Sequence, residues 1–297
     1  MAQAGRSPDR VIVGFDGSED AQAALAYGVA QAKARDAELA MVYAVDDSVL
    51  NSAWGVVFDP DEIKRGAGSM LDDVTDDLVK GGFPRDRVRT SVVLGAPPAA
   101  LSRLSEWACL MAVGRCSGTS ERAFVGSTAV GVAASSRCPV VVVGADTPLP
   151  ETTRRIGVGV NVASRAGGNA LRWAFAEARR TGASLTAVSV AKAVTSRFFG
   201  GNVAPEQQDQ LLAVTEQRAN EVVATVGEDF ADVDVEVEVS YGSPLDTLVA
   251  RSSAFDLLVA EAQISFPMYA VSGVARGVMT HARCPVALLR AKDNRAV

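Results

Sequence analysis

Short runs rich in Val, Ile and Leu alternate along this chain with longer segments whose apolar residues recur at helical spacing. Residues 11–15, 39–45, 88–94, 110–114 and 139–143 read as five strands. They are apolar almost throughout, so both of their faces need cover, which is the pattern of a parallel sheet between helix layers. Between them, Ala21, Leu25, Val29 and Ala32 make one helical stripe, and Leu71, Val74 and Leu78 make another. Leu212, Thr215, Ala219, Val222 and Val226 make a third in the second half. The spacing predicts core-facing helices, and each half of the chain reads β-α-β-α-β-α-β-α-β. That is an α/β, doubly wound sheet whose ligand crevice lies beyond the carboxyl ends of its strands.

The chain is written twice. VIVG at 11–14 returns as IGVG at 156–159, and residues 23–39 return at 169–185. VVLGAPPAAL at 92–101 matches VSYGSPLDTL at 239–248, and RCPVVVV at 137–143 matches RCPVALL at 283–289. Two tandem domains are expected, 1–146 and 147–297, with the proline-bearing ADTPLPETTR at 145–154 as the linker.

Composition narrows the classes. With 297 residues, 48% hydrophobic and 22% charged, the chain can bury two cores and is not disordered. Lys plus Arg number 29 against 35 Asp plus Glu, a net charge of −6, so neither nucleic acid nor an anionic membrane is an expected partner. No apolar stretch approaches the ~20 residues of a membrane span, and the N-terminal MAQAGRSPDR lacks the apolar core of a secretory signal. A cytoplasmic location is the expectation. Cys109, Cys116, Cys138 and Cys284 are too scattered for a metal site or a disulfide framework, and only Cys116 falls in a candidate loop.

Chemistry is sought where strands end. The first strand runs into GFDGS at 14–18, where Asp16 either bonds a nucleoside or, with Ser18, simply caps the next helix. The fourth runs into GRCSGTSERAFVGS at 114–127. Gly114, Gly118 and Gly126 would let backbone approach a pyrophosphate, and N–H groups near Gly126, Ser127 and Thr128 would point at the anion. A plain strand-to-helix loop is the competing account.

The combination of VIVGFDGS, LAMVYAV, VVLGAPPAAL and VGRCSGTSERAFVGSTAVGVAASSRCPVVVV resembles the universal stress protein family, in its tandem two-domain form. That resemblance implies Rossmann-like, adenine nucleotide alpha hydrolase-like domains with strand order 3-2-1-4-5. It also implies ATP in the crevice of those members that bind it, with Mg2+ as a companion. By the same resemblance Gly14 and Asp16 meet adenosine, Val45 lines the adenine pocket, and Val113 and Gly114 open the nucleotide motif. Gly126 and Ser127 close it on phosphate, beside Thr128. This loop is one residue shorter than the family motif: Ser117 stands where the second glycine should fall, and Gly118 is its nearest substitute.

The second copy departs further. Asn161 replaces the aspartate, and EAQISFPMYAVSG at 261–273 replaces the glycine loop, with Glu261 in the place of Gly114. A carboxylate there would repel phosphate, so binding is expected in the first domain only. The resemblance also implies that the last strands of the two copies pair within the chain as a pseudo-dimer, with a homodimer and an unidentified protein partner left open.

Dedicated catalysis has few residues to draw on. The lone histidine, His281, maps to a helix end, Ser18 and Ser127 have no histidine partner, and no Walker Lys-Ser/Thr pair occurs. The expectation is a non-enzymatic ATP-binding regulator, with slow ATP turnover, or AMP or cyclic AMP as ligand, left open. The alternative is an interaction scaffold in which both sites are vestigial. An ATP-pyrophosphatase-like enzyme would want an SGGxDS loop, which GFDGS is not.

Overall fold

Val11, Ile12 and Val13 are at most 2% exposed, and they form the middle of the first sheet. The computed structural model describes residues 10–46, 60–116, 124–162, 168–192, 204–262, 264–265 and 270–290. The chain divides into two compact units at Thr147–Pro148, with residues 265–270 grouped with the first.

The first unit runs β1 (Arg10–Gly14), α1 (Glu19–Arg35), β2 (Glu38–Val45), α2 (Pro60–Lys80), β3 (Val88–Leu94), α3 (Pro97–Leu104), β4 (Leu110–Gly114), α4 (Ser127–Ser135) and β5 (Val140–Val143). All pairings among these strands are parallel, in the order β3-β2-β1-β4-β5. The second unit repeats the scheme with β6 (Arg155–Val160), α5 (Gly168–Thr181), β7 (Ser184–Ala191), α6 (Pro205–Gly227), β8 (Val235–Tyr241), α7 (Pro244–Arg251) and β9 (Leu257–Ala262). A short ribbon of β10 (Ile264–Ser265) and β11 (Ala270–Val271) follows, then α8 (Gly273–His281) and β12 (Val286–Arg290). Its main strands lie in the order β8-β7-β6-β9-β12, again parallel.

The predicted strands are found to within a residue at each end. Two features differ from expectation. β3 is mostly exposed, with Leu94 at 42%, and no residue of β8 is fully buried. Each has only one strand neighbour, and Val235, Val237 and Val239 alternate with Glu236 and Glu238, the signature of a strand covered on one face. On α6 the buried residues are Thr215, Ala219, Val223 and Val226, so the stripe turns through Val223 rather than the half-buried Val222.

The repeat extends to packing. A Cβ on Gly131 of α4 would stand 2.6 Å from Pro98 of α3, and one on Gly277 of α8 would stand 2.5 Å from Leu245 of α7. Both units thus bring the helix before the fourth strand onto the helix before the fifth at a glycine.

One polar staple belongs to the second unit alone. Asp256, just before β9, accepts the backbone N–H groups of Arg154 (2.9 Å) and Arg155 (3.0 Å) on one oxygen, and the Arg155 guanidinium (2.8 Å) on the other. Its place in the first unit is taken by Cys109, whose N–H bonds the Arg10 carbonyl as that of Asp256 bonds Arg155. Burial alone would raise the Asp256 pKa, but the guanidinium and the two N–H donors outweigh it and hold the carboxyl below its ordinary value. A lowered folded-state pKa stabilises fully above the unfolded value of about 3.9, and the contribution falls away as pH drops through the folded value. Asp256→Asn is therefore expected to cost the second unit on the order of 1 kcal/mol at pH 7. In urea melts followed against pH, the gap from wild type should shrink as pH falls below the unfolded value of about 3.9 and through the lower folded one; a gap unchanged by acid would refute the assignment.

Candidate functional site

The carboxyl ends of β1, β2 and β4 bring the predicted residues of the first unit together. Gly14 is paired with Val113 across the β1–β4 ladder and with Val42 across β1–β2. Val45 lies three residues further along β2, buried, with its carbonyl accepting the Gly95 N–H at 2.9 Å. Val113 is 2% exposed, and a Cβ on Gly14 would meet its side chain at 3.2 Å and that of Leu101 at 3.0 Å. Close packing therefore accounts for a glycine at 14, and Val113 stands within the sheet core. Gly118 lies outside the described residues.

After β1 the chain makes a capped turn. The Asp16 carboxylate accepts the Ser18 N–H at 3.0 Å, Gly17 takes a left-handed φ of 83°, and the Ser18 hydroxyl accepts the Ala21 N–H at 3.2 Å as N-cap of α1. The capping role weighed for Asp16 and Ser18 is thus filled. Asp16 is exposed, and a carboxylate retains further acceptor capacity.

Gly114 meets the first turn of α1. A Cβ at this position would stand 2.9 Å from the Ala21 nitrogen and 2.9 Å from the Asp20 carbonyl carbon, distances that only glycine permits. Asp20 then does what the sequence did not announce. One carboxylate oxygen accepts the Cys116 N–H at 2.8 Å, and the other accepts the Ala145 N–H at 2.6 Å. The adjacent Arg115 is 8% exposed, with its guanidinium on Asp146 (3.1 Å) and the Thr147 hydroxyl (3.2 Å). These partners lie 96, 125 and 32 residues away in sequence, so no local motif could have revealed them. The only sequence signal was an acidic residue in the first turn of a helix, which ordinarily means a favourable dipole contact.

The far end of the loop enters α4. Gly126 is its N-cap, in extended conformation, and among the described residues no side-chain cap bonds the helix. The Gly126 N–H is already committed to the Arg115 carbonyl at 2.7 Å, so the donors that a helix terminus leaves over are those of Ser127, Thr128 and Ala129. Ser127 is exposed and Thr128 half-buried. Such a terminus suits an anion: its N–H groups converge and the helix dipole adds partial positive charge.

The sequence matches the universal stress protein family over residues 8–144 and again over 152–290. The chain belongs to that family. A universal stress protein of Mycobacterium tuberculosis H37Rv is 30% identical over 251 residues, spanning 84% of this chain and 87% of that protein. One of Mycobacterium bovis is 26% identical over 300 residues, 96% of this chain and 98% of its own. Among solved structures, a universal stress protein from Archaeoglobus fulgidus superposes with a TM-score of 0.69 at 17% identity, covering 96% of this chain and all of that one.

Within this tandem universal stress protein the second unit treats the same positions differently. α8 starts at Ser272, whose hydroxyl accepts the Ala275 N–H at 3.3 Å. Gly126-Ser127 has become Ser272-Gly273, and the helix terminus is closed by its own chain. Glu261 at the Gly114 position forbids the backbone approach made in the first unit and adds a carboxylate. Asn161 is exposed after β6.

Among the described residues no group of three or more His, Cys, Asp or Glu could hold a metal ion, and none of the helices is long and apolar enough to cross a membrane. His281 is the exposed last residue of α8. None of the four cysteines is in a disulfide, and burial pushes the Cys284 thiol up to about 12.

The contact at Gly114 makes a direct prediction. Gly114→Ala should force α1 away from β4 and lower the stability of the first unit by about 1–3 kcal/mol in chemical denaturation. Gly273→Ala, with open space around its Cβ position, should change stability by less than about 0.5 kcal/mol; equal effects would refute the packing account.

Proposed function

We propose that the protein is a cytoplasmic, adenine-nucleotide-binding regulator of the stress response, with ATP as ligand in the first domain only. The observation that carries this reading is the contrast between two equivalent helix termini. α4 opens on a glycine with no side-chain cap, beside the glycine exit of β4, whereas α8 is capped by Ser272. An uncapped terminus facing the carboxyl edge of a parallel sheet is where an open α/β sheet receives phosphate. In this reading Ser127 and Thr128 hold phosphate with their N–H groups, Asp16 takes the ribose or adenine edge, and Val45 and Gly14 bound the base. Mg2+ would accompany the phosphates. In this reading the protein's own residues bind and orient the nucleotide, and regulation is the proposed output.

A second reading, an interaction scaffold with both sites vestigial, is favoured by two internal bonds. The Gly126 N–H and one Asp16 oxygen are already engaged within the chain.

Calorimetry with ATP on the full chain separates these readings. One site per chain is expected, and Gly126→Ser should weaken it roughly tenfold, because a cap like that of Ser272 would compete for donors worth a charged hydrogen bond. Ser272→Gly should leave one site per chain, since Glu261 remains. Absence of ATP binding in the wild type, with no nucleotide found in the purified protein by mass spectrometry, would leave the scaffold reading standing. Binding that is indifferent to Gly126→Ser would move the phosphates away from α4.

A further inference from the structure

We propose that the start of the interdomain linker, residues 144–147, and the two ends of the glycine loop open and close as one cooperative unit, so that filling the site regulates the order of the linker. The regulatory half of this proposal rests on the nucleotide reading above; the cooperative half does not.

Three sets of bonds tie the segments together. The Asp20 carboxylate holds Cys116 at the start of the loop with one oxygen and Ala145 in the linker with the other. It cannot turn to follow one N–H without leaving the other. Arg115 supplies the second set. Its carbonyl accepts the Gly126 N–H at the far end of the loop (2.7 Å), and its own N–H donates to the Val143 carbonyl (2.8 Å). Its guanidinium pairs with Asp146 and Thr147. That guanidinium side chain is only 9% exposed, and a buried charge stripped of its partner is strongly disfavoured. If Asp146 and Thr147 withdraw, Arg115 must move outward to water, taking with it the backbone that holds Gly126.

The third set is steric. A Cβ on Gly144 would stand 2.5 Å from the Arg115 guanidinium carbon, so the linker lies flat on that side chain with no slack. Gly144 and Thr147 close a turn over it, the Gly144 N–H on the Thr147 hydroxyl (3.3 Å) and the Thr147 N–H on the Gly144 carbonyl (3.0 Å). Residues 144–147 are therefore a strap fastened across the loop's anchor, whereas a passive tether would be bonded to nothing.

Hydrogen exchange at amide resolution on the full chain tests both halves. In the Asp146→Asn, Thr147→Val double variant without nucleotide, the Cys116 and Gly126 amides should exchange roughly tenfold faster together with those of Ala145 and Thr147, the effect of losing one hydrogen bond to a charged group. The β1 amides should keep their protection. Acceleration confined to residues 144–147 would overturn the coupling. If the double variant loses β1 protection as well, Thr147→Val alone replaces it, and the same two patterns decide. Added to wild type, ATP should slow exchange at Ala145 and Thr147. ATP bound by calorimetry with those amides unchanged would overturn the regulatory half. Failure of ATP to bind overturns that half together with the nucleotide reading, while the ligand-free comparison still decides the cooperative one.

Discussion

The backbone of α1's first turn lies so close to the exit of β4 that only a glycine fits at 114, and the functional end of the first domain depends on that contact. The approach brings the Asp20 carboxylate within reach of Cys116 and Ala145, two amides that emerge from adjacent strand ends. In a parallel sheet, strand ends expose N–H and C=O groups with no ladder partner beyond the last pair. Asp20 satisfies two of them at once, and the Arg115 backbone satisfies the Val143 carbonyl and the Gly126 N–H of α4 while its side chain is covered by 144–147. A helix packed one methyl further out would leave these groups to water.

The fold was legible because the apolar runs carry it. A run such as LMAVG at 110–114 has no polar face to expose, which suits a strand covered on both sides. Where strands carry alternating charges, as in VEVEVSY, the same pattern marks the edge. The candidate site was legible only in part. Glycines at 14 and 114 were visible, but the reason for them is a steric contact with Leu101 and Val113 in one case and with α1 in the other, which sequence spacing does not encode. Asp16 and Ser18 were readable as caps because capping is local, within three residues. Asp20 and Arg115 act over distances of up to 125 residues, where a single sequence offers no signal.

The two domains show how one fold can hold its strand ends open or shut. Exchanging the order of glycine and serine at the start of the fourth helix is enough to turn an uncapped terminus into a capped one. A serine cap stabilises a helix by roughly a few tenths of a kcal/mol relative to glycine at the same place, a small local gain for the second domain. Asp256 adds a staple where the first domain has the weaker Cys109 contact. Both changes replace groups that could face a ligand, or merely pack, with groups that satisfy the chain itself.

That contrast bears on why the first domain keeps an uncapped α4. A single substitution, of the kind already present at 272, would give this helix a side-chain cap. Three side-chain acceptors, the two oxygens of Asp20 and the Thr147 hydroxyl, hold the neighbouring backbone N–H groups, and Arg115 bonds Thr147 in turn. On the nucleotide reading, anchors on either side of that helix end preorganise an anion receptor, in which the scaffold bears the ordering cost before the ligand arrives. A vestigial loop has no such requirement, and its helix end would be free to acquire the serine.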